Sequence, residues 1–383
     1  MHQYQKLIET KASLKSWLFG HCLPIWWEKG ADLQYGGFYE RLNQDLSPHN
    51  IERRTRVAAR QVYSYAKASL LGYEGECNQP IEHGLAWLND RCLNDDGYFS
   101  AIVDATGIAI DQTFNLYDHA FILTGLATTF QLRPNDIYLL QQAQGLRDRL
   151  VTKFSHPLTG FEEASPRQLP LKANPHMHLL EACLAWIEAG GDAKWAQLAE
   201  AIVNLSITKF IDPKSCAILE YFDGDWNPLG DPSFQVIEPG HQFEWAWLLL
   251  KWVDFSKDKK ALPFAIKLIE IGENFGVDKE RNVAINSLNL DLTARDVSAR
   301  LWPQTERIKA HFELAKHSDA LPQSDTSIGN VVRACDGLMP FLNTRISGLY
   351  GDRMGPDGRI VLESAPASTL YHLVCAIGEI IKP

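Results

Sequence analysis

The chain has 383 residues, 45% hydrophobic, 22% charged and 10% aromatic, the balance of a folded globular protein and not of a disordered one. Its 37 Lys and Arg against 47 Asp and Glu leave a formal charge of −10, which argues against nucleic acid or an anionic membrane surface as partner. No apolar run approaches the ~20 residues that span a bilayer, the opening Met1-His2-Gln3-Tyr4-Gln5-Lys6 lacks the basic-then-apolar order of a signal peptide, and the seven cysteines form no C-x-x-C pair, so a cytoplasmic protein with reduced thiols is expected.

Apolar residues recur at helical spacing and strict alternation is scarce. In chain order this predicts helices near 4–19, 52–71, 78–92, 113–130, 135–153, 175–189, 193–210, 239–253, 259–275, 303–316, 326–342 and 365–381. Short extended pieces are predicted at 36–41, 97–103 and 359–362. No Ser/Gly-rich linker interrupts the series, so one domain over 1–383 is expected. No sequence repeat is evident, although helix–loop–helix units recur every ~50–70 residues.

Two kinds of helix alternate. The segment 238–252 carries Phe243, Trp245, Trp247, Leu248, Leu249, Leu250 and Trp252 and is apolar nearly all round, as is 365–381, whereas 141–151 has a polar face. Helices apolar on every side must be covered on every side. An inner ring starting near 52, 113, 175, 239, 303 and 365, wrapped by an outer ring, meets that need. The competing stacked solenoid would leave its end helices uncovered.

Polar groups cluster at the starts of the inner helices. His241, Glu244, Trp245, Leu248 and Trp252 share one helical face after Pro239-Gly240. An imidazole and a carboxylate there are costly to bury unless they pair or meet a ligand. In Asn174-Pro175-His176-Met177-His178-Leu179-Leu180-Glu181, Asn174 is the expected N-cap, His178 and Glu181 share a face and His176 points elsewhere. A metal site is not expected, because positions i and i+2 diverge by ~200° on a helix and no second compact His/Cys cluster is present. His372 lies in the apolar segment 368–375, where a core histidine is the competing reading. Arg53, Arg56 and Arg60 form a stripe, and Tyr117-Asp118-His119 and 300–306, with Trp302, open two further helices. No phosphate loop, nucleophile elbow or dinucleotide fingerprint is present.

The stretches 36–40, 53–61, 117–121, 174–181, 239–245, 300–306 and 368–372 together resemble, in order, those of the N-acylglucosamine 2-epimerase superfamily. The resemblance implies an all-α (α/α)6 barrel with short β pieces in its loops. It implies catalytic roles for His241 and His372, a carboxylate partner for His241 at Glu244, and substrate contacts from Arg56, Tyr117, Asn174, His178 and Trp302. It implies no metal and no redox cofactor for the chemical step, a monosaccharide as the small-molecule partner, and a monomer or homodimer. Length and local wording fall nearest to members that interconvert mannose and fructose. The alternative is 2-epimerisation, of N-acylglucosamine/N-acylmannosamine or of mannose/glucose. In the expected reaction His372 takes the C2 proton of the open-chain aldose and His241 is the partner acid/base, through a cis-enediolate. An inverting glycoside hydrolase would need paired carboxylates, and a sugar-binding module would not need two convergent histidines.

Overall fold

The computed structural model describes residues 2–317 and 324–382. Thirteen α-helices follow one another among them: α1 His2–Trp17, α2 Leu23–Glu28, α3 Thr55–Leu70, α4 Asn78–Trp87, α5 Leu116–Leu132, α6 Ile137–Phe154, α7 Ala173–Glu188, α8 Ala193–Leu205, α9 Pro239–Ser256, α10 Leu262–Phe275, α11 Leu301–Lys316, α12 Ser324–Leu342 and α13 Ser368–Ile381. The odd-numbered helices from α3 to α13 each pack on the next, and α13 packs back on α3, so they close a ring. Helices α4, α6, α8, α10 and α12 cover α3, α5, α7, α9 and α11 from outside, and α1 covers α13. The fold is the (α/α)6 barrel. The all-round apolar segments form the inner ring, as their need for cover on every side requires.

The inner helices start within three residues of the expected positions. Outer helices α4 and α8 end earlier than expected, because their last turns widen to i→i+5 bonding at Leu88–Cys92 and Ser206–Phe210. The expected extended pieces appear as the bridges Ala31–Phe38, Leu93–Phe99 and Met354–Ile360 with short flanking strands. Helix α2 was not anticipated, nor was the longest pair of strands, an antiparallel hairpin of Val283–Asn289 with Ala294–Arg300 that leads into α11.

A repeat hidden from the sequence sets the loops. The fourth residue of four successive inner helices clamps the connection that precedes it. His119 Nε2 accepts from Phe99 N at 3.1 Å and His176 Nε2 from Phe161 N at 3.0 Å. Gln242 Oε1 accepts from Ile218 N and Gln304 Oε1 from Ala284 N, each at 2.8 Å. In every case the other side-chain nitrogen bonds the carbonyl four residues back, at Asn115, Lys172, Glu238 or Arg300. Burial lowers His119 and His176 to about 4, so each ring is neutral, with one donor and one acceptor nitrogen.

The ring is sealed between the two ends of the series. Arg41 and Leu42 pair with Pro366 and Ala365, and Arg41 donates to the Ser364 hydroxyl and carbonyl at 2.7 Å. Buried Arg53 pairs with Asp32 at 2.6 Å, which fixes the loop before α3 and keeps Arg53 out of the barrel axis.

Candidate active site

Positions 2, 6 and 9 of an inner helix lie on one face and point to the axis. Position 2 supplies Arg56, Tyr117, Asn174, Gly240, Trp302 and Thr369; position 6 supplies Arg60, Phe121, His178, Glu244 and Glu306; position 9 includes Glu181 and Lys309. A cavity of about 200 Å³ opens at the N-terminal ends of these helices. Every expected site residue lines it except Arg56: Tyr117, Asn174, His178, His241, Glu244, Trp302 and His372. Arg60, one helical turn deeper, takes the expected place of Arg56 and donates to the Tyr117 hydroxyl at 2.6 Å. Arg56 pairs with buried Asp118 at 2.8 Å and lines a wider outer vestibule of about 430 Å³. Asn174 is not a cap. Helix α7 begins one residue earlier, and the Asn174 Oδ1 is buried without a protein partner.

The two histidines flank Trp302, whose ring centroid lies 5.1 Å from His241 and 5.8 Å from His372. Gly240 makes room for that ring: a Cβ there would lie 2.4 Å from it. The His372 Nδ1 faces Glu306 Oε1 at 2.9 Å, so Nδ1–H donates and Nε2 is left as a lone pair. Burial, and then the Arg60 and Lys309 cations, push His372 well below its ordinary value. His372 is therefore neutral.

His241 is set the opposite way. Its Nδ1 lies 2.9 Å from Glu220 Oε1 and 3.8 Å from Glu238 Oε2. Burial opposes its charge, but Glu220, Glu238 and Glu244 outweigh burial and raise it to about 10. The adjacent carboxylate is thus Glu220, not the expected Glu244, which sits one turn along the helix and acts only from a distance. Burial and the neighbouring Glu306 raise Glu244 well above its ordinary value. The His178 Nδ1–H donates to Glu181 Oε2 at 3.1 Å, and burial lowers His178 to about 4. Glu181 also accepts from the Tyr371 hydroxyl.

Glu220, Glu306, Arg60 and Lys309 were not singled out from sequence as site residues. Four imidazole–carboxylate groups among the described residues bring their ligand atoms close together: His178/Glu181/Glu244, Glu220/Glu238/His241 and Glu244/Glu306/His372 around the site, and Asp254/Glu313/His317 away from it. At the far end of the barrel a cavity of about 420 Å³ is lined by Lys251, Lys316, Glu313 and Glu379, which pair with one another.

A polar cavity of about 200 Å³ at the helix starts of an α/α barrel, with two histidines shifted in opposite directions, has the size and the groups of an acid–base site for a small polar molecule. The profile of the N-acylglucosamine 2-epimerase (GlcNAc 2-epimerase) family matches residues 37–376, and the chain belongs to that family. It is an enzyme of sugar isomerisation or epimerisation. The chain is 40% identical over 370 residues to a mannose-6-phosphate isomerase of Rhizobium meliloti, covering 96% of this chain and 95% of that one. It is 25% identical to a D-mannose isomerase of Marinomonas mediterranea, covering 91% of each. Among solved structures, the cellobiose 2-epimerase of Bacillus thermoamylovorans superposes with TM-score 0.87 at 18% identity, covering 97% and 98% of the two chains. A D-mannose isomerase superposes with TM-score 0.86 at 21% identity, covering 98% and 97%. No helix among the described residues is long and apolar enough to cross a membrane.

Proposed function

We propose that the chain interconverts D-mannose and D-fructose through a cis-enediolate. The observation that carries this reading is the pair of imidazoles held in opposite charge states on either side of Trp302. His372 Nε2 takes the C2 proton of the open-chain aldose. The C–H electron pair becomes the C1–C2 double bond, and the carbonyl pair moves to O1, which takes a proton from His241. His241, now neutral, accepts the O2 proton as the new carbonyl forms at C2. The double-bond pair then takes the proton held on His372 to C1, giving the ketose. Arg60 stabilises the enediolate charge, and the unpartnered Asn174 Oδ1 accepts a substrate hydroxyl proton. A 2-epimerase would instead return a proton to the opposite face of C2. Incubation with mannose, glucose, N-acetylmannosamine and cellobiose in D2O, with products resolved by NMR, tests the proposal. Fructose should form from mannose with label exchange; a C2 epimer as the sole product would reverse the assignment.

A second reading concerns the far end of the substrate. The vestibule is lined by Arg54, Arg56, Arg60, Lys172 and Arg300 and by one carboxyl, Glu163, which burial raises to about 8. That excess of cations, and the name of the 40%-identical relative, favour a hexose carrying a phosphate at C6. A higher kcat/KM for mannose 6-phosphate than for mannose, falling as salt rises, would establish it. Equal values would confine the enzyme to the free sugar.

A further inference from the structure

The mechanism above leaves one buried cation without a task. Lys309, on α11, is fully buried, and its Nζ lies 2.5 Å from Glu306 Oε2 and 3.7 Å from the centroid of the Trp247 ring. The other oxygen of the same carboxylate, Oε1, is the one that meets His372. Lys309, Glu306 and His372 therefore form a line that ends at the cavity.

Two protons compete for three places in that line. When the Glu306–His372 pair holds a single proton, it sits on Nδ1 and the Nε2 lone pair faces the substrate. When the pair holds two, they are shared either as carboxylate with imidazolium or as carboxylic acid with the Nε2–H tautomer. In both arrangements Nε2 carries a proton and the base is gone. A buried carboxylate beside an imidazole favours the second proton. The ammonium on the far oxygen opposes it.

We propose that Lys309 is a positioning residue for proton transfer: it keeps the Glu306–His372 pair one proton short, so that His372 offers a bare Nε2 to substrate. This rests on the reading of His372 as the C2 base. The other groups facing this line are Arg60 on α3, His178 and Glu181 on α7, His241 and Glu244 on α9, and Tyr371 and Cys375 on α13 itself. Burial disfavours the charge on Lys309, but Cys375, Glu306, Glu244 and Glu181 hold it above its ordinary value, so the ammonium persists at working pH. Arg60 and protonated His241 belong to the ligand cavity, whereas Lys309 touches neither the cavity nor solvent. It acts on substrate only through the Glu306–His372 pair, by its ion pair with Glu306 and by the repulsion of its charge on the imidazole.

The test is the titration of His372, read from its imidazole nitrogen resonances without substrate, beside the pH profile of kcat/KM. In Lys309→Met the proton uptake should move up by ~1 unit or more, the usual effect of one close charge. The acid side of kcat/KM should fall by at least ~10-fold and rejoin the native curve at alkaline pH. An unmoved titration would overturn the proposal. A second pair of variants covers the case in which Lys309→Met does not fold. Glu306→Gln keeps an acceptor for Nδ1–H and removes the carboxylate charge. Adding Lys309→Met to Glu306→Gln removes both charges and should raise the His372 titration from its value in Glu306→Gln. No rise would equally overturn the proposal. A native enzyme inactive on every sugar would remove the isomerase reading and leave the titration result standing.

Discussion

Replacing His176 by Gln tests whether the fourth-position clamp is generic. Helices α9 and α11 already use Gln at that position, making the same pair of bonds as His176. At neutral pH His176→Gln should therefore fold with native stability within ~1 kcal/mol. The difference appears on acidification. Native His176 titrates at about 4, whereas the unfolded chain takes up its proton at ~6.5. Between those values the unfolded state binds the proton and the native state does not, so the native protein loses stability as pH falls. At pH ~5 the gap is ~1.5 units, or ~2 kcal/mol. Glutamine has no proton to bind, so the variant should lose ~2 kcal/mol less than the native protein between pH 7 and pH 5. Urea unfolding at the two pH values measures this directly. His176→Leu is the control: it strands the Phe161 N–H and should cost ~1–3 kcal/mol at both pH values. If His176→Gln loses as much stability on acidification as the native protein, the buried neutral imidazole is not the cause of the acid sensitivity.

Three further outcomes are expected. Glu220→Gln removes the carboxylate beside His241, so His241 should lose its proton earlier and the alkaline limb of kcat should move down by ~1–3 units in a pH–rate profile; an unmoved limb would mean that Glu220 does not hold that proton in place. His241→Ala and His372→Ala should each fold and each lose at least ~10²-fold in kcat, with His372→Ala also losing exchange of the C2 proton with D2O and His241→Ala retaining slow exchange; near-normal turnover in folded His372→Ala would make that histidine core. Gly240→Ala forces the Trp302 ring away from a Cβ that would sit 2.4 Å from it, and a displacement of ~1 Å at the site should lower kcat/KM by up to ~10²-fold, while unchanged kinetics would show that Trp302 does not position substrate.

The helices were legible because burial on all sides writes an apolar run that no loop imitates, as in Phe243 to Trp252. The hairpin was not. Ala294–Arg300 is Ala-Arg-Asp-Val-Ser-Ala-Arg, mostly exposed, and its pairing with 283–289 decides its shape more than its own side chains do. Within the site, residues on helix starts were visible as odd polar groups in apolar segments. Their partners were not, because contact across the barrel leaves no trace in spacing. Glu306 meets a histidine 66 positions away, and Glu220 lies in a loop. Arg60 could have been preferred to Arg56. Four residues on a helix are ~6 Å, and of the three arginines in the stripe only the innermost reaches past the mouth. Lys309 also carried a signal: with Trp302 and Glu306 it falls at i, i+4 and i+7 on one face, a charge where the face turns inward.

The seam between Arg41–Leu42 and Ala365–Pro366 gives the catalytic apparatus a birth order. Its partners stand 323 positions apart at the Arg41–Ser364 bond, so no shorter stretch of chain can close the ring. On a ribosome the inner helices emerge one by one, and α13, with Ser368, Thr369 and His372, emerges last of the six. A nascent chain thus carries His241, the proposed acid, long before His372, the proposed base. The proton path comes into being in one step, when α13 docks between α3 and α11 and the seam pairs. Until then the apolar faces of five inner helices wait for a wall, and apolar surface left open in that interval is the kind that aggregates.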